Sequence, residues 1–452
     1  MYKSYKRPIV KASPNLRLPE PKVSKFLIPF LRPLGRLYLF LFYGTARFVL
    51  LDDRLFFDAF RRALAGESRC IIAFRHPNGG EPQLLSWFFL FKLKSLAARK
   101  GVRFVRRPHA VCVYTYEVVR WGGWPTRFVM PRIGAMPVHH AKMDSKGMAR
   151  ILKAIVEGPY PLALAPEGQV SYITDAVPRL EQGVIRIGFN AAQRLSGKGG
   201  DCPVEILPVS VSFRYGPWGR MAMELLLRKI EKISGFSYGD REKPPFAERL
   251  RSCRDHILEV NEVRYRIEGD ASLSFEERLD KVINAALETA EQMLGIKGEG
   301  ESFSRMYRVR QLCWDRIYKP EQETLEHISH VERNVMDLRA GEAWYIGRHQ
   351  EIVDFCWYFR CPLPTEETAL HNKIEYVQNL WDFANRTMGG AFPDRKNIFP
   401  RKVIIQAAPV INLSERLPSF EKDKKATVAA AMSDLEQAYL DSIDEANRME
   451  KD

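Results

Sequence analysis

The chain has 452 residues, 46% of them apolar, and a formal net charge of +14. That length and composition describe a globular protein of two or three domains with a sizeable core. The seven cysteines are odd in number, scattered and free of any Cys-x-x-Cys pair, which fits a reducing compartment with buried or idle thiols and excludes a disulfide framework or a zinc site.

The positive charge is concentrated at the start, where residues 1–50 hold ten Lys or Arg against one acid, Glu20. Anionic membranes and nucleic acid both attract such a segment, each cation at an anionic leaflet being worth about 1 kcal/mol. The neighbouring composition favours the membrane. Phe26–Leu51 is rich in Leu and Phe but is interrupted by Pro29, Arg32, Pro33, Arg36 and Arg47. Its longest uncharged run, Leu37–Ala46, falls short of the roughly 20 residues a spanning helix needs. It also starts too late, and lacks the cleavage site, for a secretory signal. Residues 1–50 are therefore expected to lie on a membrane surface, peripheral on its cytoplasmic face, and nucleic acid is not expected as a partner. The competing reading is a core helix with a basic flank.

From 51 to 215 the pattern is α/β. Apolar runs at Cys70–Phe74, Ala110–Tyr114, Pro161–Ala165 and Val204–Val211 suit strands of a mostly parallel sheet covered by helices. Between them, Met148, Ile151, Leu152, Ile155 and Val156 recur at helical spacing and stop at Gly158-Pro159. Residues 216–398 read as a large helical block. Ser274 and Glu277 form a capping-box pair before a helix that ends at Gly295, and Thr365–Met388 reads as another helix, ended by Gly389-Gly390. Strand character returns at Lys402–Gln406 and Pro409–Leu413, before a last amphipathic helix from Lys424 to Ala446. The favoured arrangement makes 216–398 an insertion and 399–452 the closing strand and helix of the α/β core.

The chemistry-bearing residues cluster at two strand ends. The first is Arg75-His76-Pro77-Asn78-Gly79-Gly80-Glu81; the second is Ala165-Pro166-Glu167-Gly168. A neutral imidazole can take a proton from a hydroxyl if a second group fixes its tautomer and stabilises the imidazolium. Glu81 can do so for His76 only across a bend, and Pro77-Asn78-Gly79-Gly80 is turn chemistry. Gly79 and Gly80 also let a substrate approach the backbone, near amides of the following helix N-terminus that can stabilise an oxyanion. There is no Gly-x-Ser-x-Gly motif and no cysteine in a base-paired motif, so the attacking group is expected to be the substrate's own hydroxyl.

With these residues in hand, the chain resembles the glycerolipid acyltransferase family of the lysophosphatidate acyltransferase type. His76 to Glu81 resembles its His-x-x-x-x-Asp block, and Ile133–His140 its Gly-x-hydrophobic block ending in Arg. Ala165–Ser171 is similar to Phe-Pro-Glu-Gly-Thr-Arg-Ser, and Ile206–Ser210 to the Val-Pro-Val strand. Leu180–Gly183 resembles the helix start between the last two blocks, and Arg401–Leu413 the late strand. The resemblance covers roughly residues 60–215 and 401–413. It implies transfer of a fatty acyl group from a coenzyme A or acyl-carrier-protein thioester to a hydroxyl of a lysophospholipid, glycerol phosphate or related lipid. No metal, cofactor or covalent intermediate is implied. His76 would be the base and Glu81 its orienting carboxylate, with Glu167 and Gly168 on the acceptor side.

Three departures bear on the acceptor. Glu81 stands where the family has Asp, His140 where its second block has Arg, and Gln169-Val170 where its third has Thr-Arg. The family's arginines are associated with the acceptor's phosphate, and a guanidinium fork is not replaced by His or Val. Either Arg75, Arg132 and Lys142 supply the charge from new positions, or the acceptor carries no phosphate monoester. The rival function is a catalytically silent lipid-binding or scaffolding protein on the same fold. The apolar stretch Leu84–Phe91 and the seven cations between Lys92 and Arg107 could hold an acyl chain and meet headgroups, or form a buried helix with a solvated basic face. His327 and His330, three apart, lack a ligand set for a metal.

Overall fold

The computed structural model describes residues 10–14, 18–139, 144–197, 202–239, 243–270, 272–319, 322, 324–359, 361–390 and 395–451. The chain divides into two compact units: 18–218 with 399–452, and 219–398 with the described part of 1–17.

The first unit is α/β. Its strands are β1 (Thr45–Leu51), β2 (Arg69–Phe74), β3 (Val111–Thr115), β4 (Met136–Val138), β5 (Leu162–Leu164), β6 (Val204–Tyr215), β7 (Arg401–Ala407) and β8 (Ile411–Asn412). The order across the sheet is β1-β7-β6-β2-β5-β3-β4, with β8 paired to β6. All pairings are parallel except β6 with β7 and β6 with β8. A strand covered on both faces needs apolar residues throughout, and β2 is buried from Cys70 to Phe74. On one face Ile71, Ala73, Ile206 and Leu413 pack with Ile151, Ile155, Val184, Phe189, Leu435 and Tyr439 of the Ser145–Glu157, Gly183–Ser196 and Lys424–Lys451 helices. The opposite face carries the Asp53–Ala65 and Glu81–Phe88 helices, where Phe60 packs on Phe89 and Phe48 of β1 stacks on Trp87.

Strand β7 lies between β6 and β1, so the late segment closes the sheet and the helical block is inserted between two neighbouring strands. One expectation is corrected. Residues 45–50 do not belong to a membrane-surface segment but form most of β1, because the Leu27–Tyr43 helix stops where Gly44 adopts a left-handed conformation at φ 61°. The Arg36 guanidinium then clasps the Thr45 and Ala46 carbonyls at 2.7 and 2.8 Å, fixing the strand's entry.

The second unit is helical, built from Phe246–Arg264, Phe275–Leu294, Ser302–Ile317, His330–Trp357 and Leu370–Thr387, with most of Pro217–Ile233. A two-residue parallel pairing joins Ser13–Pro14 to Tyr318–Lys319. The Ser274/Glu277 capping box forms as expected, and Gly295 caps the C-terminus at φ 72°. The Thr365–Met388 reading is too long at its start. There the Thr368 hydroxyl accepts the Thr365 N–H at 2.9 Å, a local turn that competes with helix, and the helix begins at Leu370.

Candidate active site

The alternation of β2 carries past its end at Phe74, where the Arg75 N–H still donates to the Val209 carbonyl at 2.9 Å, and sends Arg75 and His76 in opposite directions. His76 emerges on the face of the Glu81–Phe88 helix, edge-on to Phe74 with ring centroids 6.0 Å apart. The chain then turns through Gly79, whose φ of 91° is open to glycine and strained for other residues. The helix starts at Glu81 and folds its carboxylate back under the turn. Glu81 Oε2 lies 2.6 Å from His76 Nδ1 and accepts the Gly79 N–H at 2.9 Å. The Glu81 side chain is fully buried, whereas the His76 ring keeps 17% of its surface exposed. Ionised, Glu81 can only accept, so Nδ1 carries the proton and Nε2 presents its lone pair. Because the Gly79 amide is engaged, an oxyanion would have to use other first-turn donors; Pro82 offers none.

The second motif is brought to the same place. The Ser171 N–H donates to the His76 carbonyl at 3.0 Å, and Val170 lies over Gly79. Gly168 has φ 69°, and a side chain there would run into the Glu181 carboxylate, while the Glu181 N–H ties back to the Pro166 carbonyl at 2.7 Å.

Arg75 and Glu167 are corrected in role. Both are buried on the opposite face, where Arg75 Nε donates to Glu167 Oε1 at 3.1 Å. The other Arg75 nitrogens take the carbonyls of Thr174, Ile173 and Ala176 at 2.7, 3.1 and 2.7 Å. A guanidinium spent this way cannot meet a substrate phosphate. It organises the 167–176 loop beneath His76, and Glu167 is its counter-ion.

Arg132 is not assembled with these residues. It ends the Gly123–Arg132 helix, donates to the Phe128 carbonyl at 2.8 Å and lies 3.9 Å over the Phe128 ring. His140 and Lys142 fall outside the described residues. The stretch Leu84–Leu90 is largely core, and Lys92, Lys94, Arg99 and Lys100 lie on a solvated face. Among the described residues, no group of three or more His, Cys, Asp or Glu is placed to hold a metal. Five of the seven thiols are buried, and burial pushes Cys70, Cys253 and Cys313 up to about 12, far from nucleophilic use at neutral pH.

Two neighbours of the site had no signal in the sequence. Tyr43 ends the N-terminal helix with its ring on Gly80, where an added Cβ would come within 2.5 Å of Cδ1, and burial raises its phenol well above the ordinary value. The other, one contact further out, is Arg401 at the start of β7, whose N–H donates to the carbonyl of Gly44, the residue after Tyr43, at 2.8 Å. Comparison with family models, with curated proteins and with solved structures finds no match.

Proposed function

We propose that this chain is an O-acyltransferase that moves a fatty acyl group from a thioester to a lipid hydroxyl. The observation that carries the reading is the 2.6 Å contact between His76 Nδ1 and the buried Glu81 carboxylate, which leaves a mostly buried imidazole whose exposed remainder can present the Nε2 lone pair to a substrate. In that arrangement Nε2 takes the acceptor's hydroxyl proton as the oxygen attacks the thioester carbonyl. The tetrahedral intermediate collapses to the ester and expels the thiolate, which recovers the proton from the imidazolium. Glu81 stabilises the charge on the ring throughout.

The ordered blocks from His76 to Ser210, similar to those of the glycerolipid acyltransferases, support the same reading, as does the position of the 167–171 loop against the His76 carbonyl. The membrane part of the proposal rests on the Leu27–Tyr43 helix. Among the described residues no helix is long and apolar enough to cross a membrane. Yet Phe26, Phe30, Leu34, Leu37, Leu41 and Phe42 are exposed, beside the exposed cations Lys22, Lys25 and Arg32. An apolar stripe with a basic edge is the composition that binds anionic bilayers in plane.

The test is an acceptor screen. Purified full-length protein on anionic vesicles is given labelled acyl-coenzyme A, or acyl-carrier protein, with a panel of lysolipids and neutral lipid alcohols. Labelled diacyl product is expected with at least one acceptor. Lipid that co-purifies without turnover on any member would instead favour the silent lipid-binding protein.

A further inference from the structure

Three arginines rank among the largest fully buried side chains: Arg75, Arg249 and Arg401. Two have their charge answered. Arg75 pairs with Glu167, and Arg249 with Glu224 and Glu231. Arg401, 2% exposed, pairs with no carboxylate among the described residues, and its Nε and Nη2 are buried without a hydrogen-bond partner. A guanidinium does not escape by losing its proton, and a buried charge left unpaired is costly. Its one evident compensation is the Phe213 ring, 4.1 Å from Cζ, a contact that neutralises no charge and accepts no fork of hydrogen bonds.

The location gives this charge a purpose. Phe74 pairs with Val209 and the Arg75 N–H donates to the Val209 carbonyl, so the same register extended past the end of β2 puts His76 at the level of Val211, with Phe213 two residues further along the adjacent strand. Side chains at 74, 76, 211 and 213 therefore share a face. From strand spacing and rise, the guanidinium over Phe213 lies on the order of 10 Å from the imidazole. Non-covalent contacts link Arg401 to the turn: its N–H donates to the Gly44 carbonyl at 2.8 Å, and neighbouring Tyr43 covers Gly80. Burial raises the pKa of the Tyr43 phenol, and the Arg401 charge works against that rise.

We propose that Arg401 is the phosphate-recognising residue for the acceptor, seating a phosphate monoester a short linker away from the hydroxyl held at His76. The assignment rests on the acyl-transfer reading for the identity of that hydroxyl. A guanidinium fork matches a phosphate's oxygens bidentately, and the separation suits a hydroxyl and a phosphate on one glycerol backbone. The phosphates of coenzyme A stand a long pantetheine arm from the thioester and do not suit it. Arg401 thus fills the role that neither Arg75, which is sequestered, nor Val170 can fill.

Binding is the test, because it needs no turnover. Wild-type full-length protein and Arg401→Met are titrated calorimetrically with lauroyl-glycerol phosphate, with neutral lauroyl-glycerol and with coenzyme A, each variant first checked for its melting transition. Wild type is expected to prefer the phosphate-bearing lipid at least tenfold over the neutral one, and R401M to lose that preference while binding lauroyl-glycerol within twofold of wild type. An intact preference in R401M, an equal loss for both lipids, or a loss confined to coenzyme A overturns the assignment. Should R401M not fold, R401K carries the test: it keeps the charge but not the fork, and an undiminished preference there also overturns it. A wild type that binds with this preference yet transfers no acyl group refutes the reaction and leaves the anion subsite standing.

Discussion

His76 and Glu81 meet at 2.6 Å because a glycine at φ 91° reverses the chain between them. Arg75, one residue earlier, points the other way and does different work. Replacing it by Met removes the partner of buried Glu167 and frees three carbonyls, and breaking a buried pair from one side costs about 3–5 kcal/mol. Urea unfolding of R75M should show a loss of that size; a loss under 1 kcal/mol would mean that the loop does not depend on the pair. His109 supplies a pH prediction. It is buried, donates from Nε2 to the Ile133 carbonyl at 2.7 Å, and burial lowers its pKa to about 4. The unfolded chain, with an ordinary imidazole near 6.5, binds the proton first as pH falls, so stability drops between about pH 6.5 and pH 4, by up to roughly 3 kcal/mol. His109→Gln should flatten that part of the stability–pH curve. An unchanged slope would assign the acid lability to other groups.

At the scale of elements, the N-terminal helix ties the proposed membrane surface to the site. Trp87 of the Glu81–Phe88 helix donates to the Arg32 carbonyl at 3.0 Å, and only a glycine at 35 lets the indole approach so closely. The opposite side of the helix carries Phe30, Leu34, Leu37 and Leu41, spaced as one stripe. Exposed side chains contribute little to folding, so Phe30→Glu with Leu34→Glu and Leu41→Glu should leave stability within about 1 kcal/mol. The same triple variant should abolish flotation with anionic vesicles, and retained flotation would place the membrane contact elsewhere. The strands of the core were legible because doubly covered strands are unbroken apolar runs, and the capping box and Gly295 marked their helix as read. Strand β1 was not legible. Thr45–Leu51 continues the apolar, arginine-bearing composition of the helix before it, and only Gly44 separates the two. Arg75 was misread as a ligand because its partner lies 92 residues away. Arg401 gave no signal, since an arginine at a strand start ordinarily faces water.

On the scale of the whole molecule, the chain leaves the sheet after β6 and returns as β7 beside it, with 219–398 forming a separate helical unit between. The return matters for the site, because β7 brings Arg401 to the face that carries His76 and β1 connects that strand to the N-terminal helix. Every residue placed at the site thus belongs to the α/β unit, although the segments that supply them span from Tyr43 to Arg401. The most direct measurement is the initial rate of acyl transfer from labelled thioester by wild type and His76→Ala, with a melting curve for each. Loss of a positioned general base costs about a hundredfold to ten-thousandfold, so the account predicts wild-type turnover and a folded H76A slower by at least a hundredfold. Equal rates in the two proteins would contradict it.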